Sequence, residues 1–205
     1  MRDFNIEALV WDDDPVRRKM AHDVFSAMKK GVPFSREWDI MDFGCGTGLI
    51  AFQSVPLVRS VLCADPSQGM LSVVEEKARS AGLDNVRTLP IDAGSVPSFP
   101  GAFDCILSSM TFHHIKDIPP LLSSLFDALN PGGYICVADL DLDDGLFHSN
   151  ADGVFHNGFG RDDVCSLFAE AGFSDIRIDT AAEVEKMTPS GSRLFAVFAA
   201  TARKK

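Results

Sequence analysis

Trp38-Asp39-Ile40-Met41-Asp42-Phe43-Gly44-Cys45-Gly46-Thr47-Gly48-Leu49-Ile50 sets the architecture of this 205-residue chain. An apolar-rich run ends in an acid, and three glycines follow at every second position before an apolar segment resumes. The pattern predicts a buried strand, a tight turn and the start of a helix. Glycines suit a backbone that bends back over a ligand, because they accept positive φ and carry no Cβ. The amides of a helix start point at whatever sits above the loop. A dinucleotide fingerprint, G-x-G-x-x-G, needs its third glycine at position 49, where this chain has Leu49. A P-loop needs Gly-Lys-Ser/Thr, and no lysine occurs between Lys30 and Lys77. What stands here is D-x-G-x-G-x-G, in which Asp42 repels a pyrophosphate and suits a ligand bearing an ammonium group. A turn of this kind also occurs in loops that bind nothing.

From position 36 onward, strand and helix alternate. Strands are expected at about 38–43, 60–64, 86–91, 103–108 and 134–138, with helices from Thr47 to about Val58, Ser67 to Ala81 and Pro119 to Leu129. Gly82 and Asn130-Pro131-Gly132-Gly133 act as breakers. Such alternation predicts a parallel sheet covered on both faces by helices. Ahead of it, Asp14 can cap a helix that has Pro15 at its first position and runs to about Lys30. After Asp139 comes a polar stretch, 140–160, too long for an ordinary connector. A helix at about Arg161–Ala171 and strands at 176–180 and 194–201 close the chain. Two late strands with no helix between them imply that the last is antiparallel. The expectation is a Rossmann-like, seven-stranded, mostly parallel α/β sheet. It forms one domain, divided into an N-terminal helical lid or cap (1–34), a ligand half (36–139) and a substrate-side half (140–205), with the stretch around Trp11 and the segment 140–160 expected to close over the substrate pocket as a lid.

Composition narrows the function classes. Hydrophobic content of 46% and charged content of 23% are ordinary for a soluble globule. A net charge of −10 argues against a large nucleic-acid footprint. No apolar run approaches the roughly 20 residues that span a bilayer, and Met1-Arg2-Asp3-Phe4 has no signal-peptide core. The five cysteines are widely spaced, as expected of reduced core thiols in a cytoplasmic protein.

In an open sheet of this type the ligand lies beyond the carboxyl ends of the strands, so the residues found there are the candidates. Asp65 ends the second strand, where a carboxylate can accept both hydroxyls of a ribose or cap the helix that follows. Four of the five histidines fall after strands four and five. His113, His114, Asp139 and His156 are candidates for acid–base work. Trp11, Asp141, His148 and Phe159 are candidates for the wall of a substrate pocket, with Phe112, Phe147 and Phe155 as further aromatics that serve equally well as core. Asp139, Asp141, His148 and His156 form a mixed nitrogen and oxygen set, but their spacing matches no compact metal motif, and no metal is expected.

The ordered set D-x-G-x-G-x-G, Ala64-Asp65-Pro66-Ser67, Asp92, Phe103-Asp104-x-Ile106-x-Ser108 and Leu129-x-Pro131-Gly132-Gly133-Tyr134 resembles the class I S-adenosylmethionine-dependent methyltransferases, in particular small stand-alone bacterial and fungal members. The resemblance covers roughly residues 36–200. It implies S-adenosyl-L-methionine as cofactor and S-adenosyl-L-homocysteine as product. Asp42, Gly44, Cys45, Gly46 and Gly48 would then hold the methionine end, and Asp65, with Pro66 and Met70, the ribose. Asp92 and Ala93 would meet the adenine, and Ser108 would lie beneath the methionine arm. It further implies a small-molecule acceptor and leaves the oligomeric state open. Two other readings remain: a non-catalytic cofactor-binding protein that acts through a partner, and an NAD-dependent oxidoreductase, which Leu49 disfavours.

Overall fold

The computed structural model describes residues 4–92, 94–99, 101–148 and 150–205. A seven-stranded sheet runs in the order β3-β2-β1-β4-β5-β7-β6. Its strands are β1 (Asp39–Phe43), β2 (Ser60–Asp65), β3 (Val86–Pro90), β4 (Phe103–Ser109), β5 (Leu129–Leu140), β6 (Ser174–Thr188) and β7 (Gly191–Arg203). The pairings β1–β2, β1–β4, β2–β3 and β4–β5 are parallel, and β7 is antiparallel to both neighbours. The strand order reverses between β1 and β4, which opens a crevice at their carboxyl ends.

Successive strand residues point to opposite faces, and each face has its own helical cover. On one side Ile40, Val61, Cys63, Cys105 and Leu107 pack with Val24, Phe25 and Met28 of α2 (Pro15–Gly31) and with Leu71 and Val74 of α4 (Gln68–Ser80). On the other, Met41, Phe43, Ile106, Val137 and Phe198 meet Leu121, Leu122 and Leu125 of α5 (Ile118–Asp127) and Val164 and Phe168 of α6 (Arg161–Glu170). Burial of such large side chains is worth roughly 1.5–3 kcal/mol each. Cys45, Cys63, Cys105 and Cys136 are free and buried. No described helix is long and apolar enough to cross a membrane.

The structure departs from the sequence expectation at four places. Residues 4–13, left unassigned above, form the short helix α1 (Phe4–Glu7) and a 3-10 turn (Ala8–Asp13). They lead into α2, whose first amides, of Val16 and Arg17, are capped by the Asp14 carboxylate as expected. The helix expected from Thr47 shrinks to α3 (Ala51–Ser54) and a 3-10 turn (Val55–Leu57). Gly48, at φ +86°, belongs to the loop, and Pro56 has no N–H with which to continue a helix. Asn130-Pro131-Gly132-Gly133 is not an interruption before β5 but an irregular stretch inside it. The register slips there between Phe103↔Leu129 and Cys105↔Tyr134, and Gly132 takes φ +80°. Finally, β6 and β7 form a much longer hairpin than expected. Ala182 and Val184 point inward, while Glu183 and Glu185 face solvent, so a glutamate-rich segment without obvious strand composition is ordered by burial of alternate residues.

Candidate active site

The glycine loop is fastened from two sides. The amides of Gly44 and Cys45 donate to the Ala64 carbonyl at 2.7 and 3.2 Å, and the Thr111 hydroxyl donates to the Gly44 carbonyl at 3.2 Å. Gly44 has φ +69°, and a Cβ placed on it would fall 2.2 Å from Thr111 Cγ2. Gly46 has φ +53°, but its missing Cβ would meet nothing within 4 Å. The first glycine is therefore required by packing and conformation together, and the second by conformation alone, with open space beside it. Gly44→Ala should lower unfolding stability by about 2–4 kcal/mol, and Gly46→Ala by only about 1 kcal/mol. Denaturant midpoints compare the two, and equal losses would refute the steric account.

Two carboxylates flank the loop. Asp65 ends β2 and is 8% exposed. Its Oδ2 accepts the Gly46 amide and its Oδ1 the Ser67 amide, both at 2.8 Å. Burial pushes its carboxyl above the ordinary range, and these two amides pull against the rise. Asp65 thus ties the loop to the start of α4, while each oxygen keeps a further lone pair. Asp42 is fully buried below the loop, and burial pushes its carboxyl up to about 7. The Ala51 amide, at the start of α3, opposes that rise, and the nearby Asp65 adds to it. Asp42 Oδ2 has no hydrogen-bond partner, and neither has Ser108 Oγ at the end of β4. The two point to opposite faces, since Asp42 pairs in register with Leu107, and Ser108 with Phe43.

Among the other cofactor candidates, Met70 is buried in the first turn of α4, its amide on Ser67 Oγ at 3.2 Å, and Pro66 is exposed. Asp92 is exposed in the loop after β3. Its Oδ1 accepts the Gly94 amide at 2.9 Å, and that bond holds its carboxyl below the usual carboxylate value. Ala93 lies outside the described residues.

A second group gathers where β4 and β5 end. Met110 takes φ +56°, uncommon for a residue with a side chain, and the chain then turns through Phe112–His114. That turn places His113 against Asp139, both buried. His113 Nδ1 lies 2.7 Å from Asp139 Oδ1, the His113 amide donates to Oδ2 at 3.2 Å, and the Leu140 amide donates to Oδ1 at 2.8 Å. With the carboxylate as acceptor, Nδ1 is the donor of this contact and Nε2 is the ring nitrogen turned away from Asp139. The His114 and His148 rings lie 4.1 and 4.8 Å from that of His113. His114 Nδ1 is 2.7 Å from the Gly153 carbonyl. Burial, followed by the neighbouring His113, His114 and Lys186, pushes His148 down to about 4, and its Nε2 is buried without a partner.

The side chains of the remaining candidates are engaged by other partners, although the His156 amide donates to the His113 carbonyl at 3.3 Å. His156 Nε2 bonds the Ile115 carbonyl at 2.9 Å, which ties the 150s loop to the turn after β4. Asp141 is gripped by Arg161 from Nε at 2.8 Å and Nη2 at 2.6 Å. Phe159, with Phe112, is core against α5 and α6. Among the described residues, no group of three or more His, Cys, Asp or Glu is arranged to hold a metal ion.

The N-terminal segment brings in residues that sequence reading had passed over. The Asp12 carboxylate accepts the Thr47 hydroxyl at 2.5 Å and pairs with Lys77. Lys77 also donates to the Thr47 carbonyl at 2.8 Å. Asn5 Oδ1 accepts the Ser67 hydroxyl at 2.9 Å and the Gly69 amide at 2.8 Å. Phe4 sits edge-on to His114 and beside Trp11, and the Arg17 guanidinium lies over the Trp11 ring, 3.9 Å from its centroid. The segment thus touches the loops after β1, β2 and β4. Trp11 had been singled out in this segment, whereas Phe4, Asn5 and Asp12 had not, and the Asp12-Asp13-Asp14 run reads equally as a helix cap.

Residues 40–133 match the family model described as a methyltransferase domain. Over those residues the chain belongs to that methyltransferase-domain family. The chain is 32% identical, over 154 residues, to an uncharacterized methyltransferase of Schizosaccharomyces pombe, an alignment that takes in 68% of the chain and 54% of the relative. It is 33% identical over 104 residues to the Ubiquinone/menaquinone biosynthesis C-methyltransferase UbiE of Vibrio cholerae, covering 49% of the chain and 40% of that protein. The chain therefore spans about half the length of the curated relatives it matches. Among solved structures, phosphoethanolamine N-methyltransferase 2 of Haemonchus contortus in complex with S-adenosyl-L-methionine superposes with a TM-score of 0.72 at 18% identity, over 89% of this chain and 52% of that one. The methyltransferase partner of the Trm112 activator from Haloferax volcanii gives 0.77 at 16% identity, over 99% and 98%. At such identities these two likenesses concern the fold.

Proposed function

We propose that this chain binds S-adenosyl-L-methionine in the crevice above β1 and β2 and transfers its methyl group to a small acceptor near His113. The observation that carries this reading is Asp42, a buried carboxylate under the glycine loop with one oxygen lacking a partner. Such a group is costly alone and suits the cationic, ammonium-bearing end of this cofactor. Asp65, with lone pairs to spare beside Gly46, suits the ribose hydroxyls. When bound, the cofactor supplies an activated methyl on a sulfonium. The protein then has to align the acceptor and, for an acceptor that must lose a proton, provide a base. The Asp139–His113 pair is placed and polarised for that second task. Names such as ubiquinone biosynthesis O-methyltransferase among the relatives support a small acceptor. Calorimetry with S-adenosylhomocysteine is the test: no binding at millimolar ligand overturns the reading. Methyl transfer from labelled cofactor into a cell extract separates an enzyme from a non-catalytic binder.

The N-terminal segment acts as a clasp over the same crevice. Asp12, Thr47 and Lys77 form its polar latch, and Phe4, Trp11 and His114 its apolar seam. Closure of the clasp excludes water from the reacting groups. Lys77→Ala removes a half-buried, charge-assisted contact, at a cost of about 1 kcal/mol. The variant should bind S-adenosylhomocysteine about fivefold more weakly, and bound ligand should no longer protect the segment from limited proteolysis. Unchanged affinity and protection would show that these residues only cap the sheet.

A further inference from the structure

His148 lies outside the Asp139–His113 pair but is packed against it, and its Nε2 is buried with no hydrogen-bond partner. A buried polar nitrogen left in that condition costs stability unless a ligand completes it. Its surroundings indicate the ligand's charge. Its ring stands edge-on to Phe147 at 4.9 Å, and the Lys186 ammonium lies over the other ring of that contact, 4.0 Å from the Phe147 centroid. Lys186 donates to the Phe147 carbonyl at 2.6 Å. Among the described residues the carboxylate that reaches these rings is Asp139, which is already occupied by His113 and two amides. Imidazoles and an ammonium group disfavour a cationic amine and favour an oxygen that becomes negative.

We infer that the acceptor is a weakly acidic hydroxyl compound, a phenol or enol, whose oxygen is held between His113 and His148. The inference rests on the methyl-transfer reading above. His113 Nε2 takes the hydroxyl proton, and neutral His148, in the tautomer with its proton on Nε2, donates a hydrogen bond to the oxygen left behind. An electron pair of that oxygen forms the new bond to the methyl carbon, and the electrons of the broken carbon–sulfur bond stay on sulfur. The products are a methyl ether, a neutral thioether and a protonated His113. A phenol, with a pKa of about 10 like that of tyrosine, lies within reach of an imidazole base, whereas an aliphatic alcohol does not. A hydrogen-bond donor aimed at developing charge in a buried site is also a strong form of assistance. His148 is thus a substrate-binding residue that selects for acidity in the acceptor.

The probe is 4-nitrophenol, whose anion is coloured, added to the full chain saturated with S-adenosylhomocysteine. The expected result is binding accompanied by the phenolate colour at a pH below the probe's own ionisation. His148→Phe should weaken that binding at least tenfold and abolish the colour. His148→Gln, which keeps an N–H donor, should recover most of both. In both variants S-adenosylhomocysteine affinity should stay within twofold, which shows that the fold is intact. Equal binding and colour in His148→Phe would overturn the inference, as would a wild-type protein that binds S-adenosylhomocysteine but not the phenol. Failure to bind S-adenosylhomocysteine at all would instead overturn the cofactor reading on which it rests.

Discussion

Asp65→Ala should raise the dissociation constant of S-adenosylhomocysteine by about 30- to 150-fold, equivalent to a loss of roughly 2–3 kcal/mol. Two effects combine in this figure. A carboxylate that accepts hydroxyls makes charge-assisted bonds, which are stronger than neutral ones. Asp65 also preorganises the site, because its two oxygens hold the Gly46 and Ser67 amides and thereby fix the glycine loop against the start of α4. Asp65→Asn separates the effects. One amide oxygen can keep one backbone contact, but the charge and the second acceptor are lost, so affinity should fall about tenfold. Thermal unfolding should drop in both variants, more for alanine, since two buried amides lose their partner. Calorimetry and melting read these quantities independently. Weakened melting with an unchanged dissociation constant would leave Asp65 as a structural clamp only.

How far the sequence reveals this molecule depends on whether the deciding contact is local. Strands β1 to β5 and helices α2, α4, α5 and α6 follow from period, breakers and caps, all readable within a dozen residues. The glycine loop was legible for the same reason, down to the acid below it. Asp139 and His113 both stood out as residues after strand ends, yet their pairing depends on the parallel register of β4 with β5 and on the Met110 turn, which no local pattern encodes. Asp141 occupied an equally promising position, but the chain brings Arg161 back to it at the start of α6, and its carboxylate is consumed there. Phe159 read equally as pocket wall or core, and tertiary packing against α5 and α6 placed it in the core. In the N-terminal segment Trp11 was legible as a candidate, but the contacts that fasten the segment were not. Asn5 and Asp12 are ordinary polar residues until folding carries them to Ser67, Gly69, Thr47 and Lys77, partners far away in the sequence.

Asp139→Asn should reduce the rate of methyl transfer by about 10²- to 10⁴-fold while leaving S-adenosylhomocysteine affinity within about twofold. The buried carboxylate accepts hydrogen bonds, so it holds a ring proton of His113 on Nδ1 and leaves Nε2 to act as the base. An asparagine keeps the shape but can turn its amide N–H toward Nδ1. The ring proton then moves to Nε2, and the base is gone although nothing has moved by more than a fraction of an ångström. His113→Gln removes the same base directly and should cost about as much. The double variant should be scarcely worse than either single one, because two residues that act as one unit do not contribute additively. Single-turnover transfer from labelled cofactor measures the chemical step apart from clasp opening, which is expected to be slow. A stability loss of about 1–3 kcal/mol is expected in Asp139→Asn from the disturbed Leu140 and His113 amides, so rates should be compared well below the melting temperature. If Asp139→Asn transfers methyl within threefold of wild type while His113→Gln does not, Asp139 serves the fold and His113 works without it. If both retain full rates, the acceptor reacts without losing a proton to this pair.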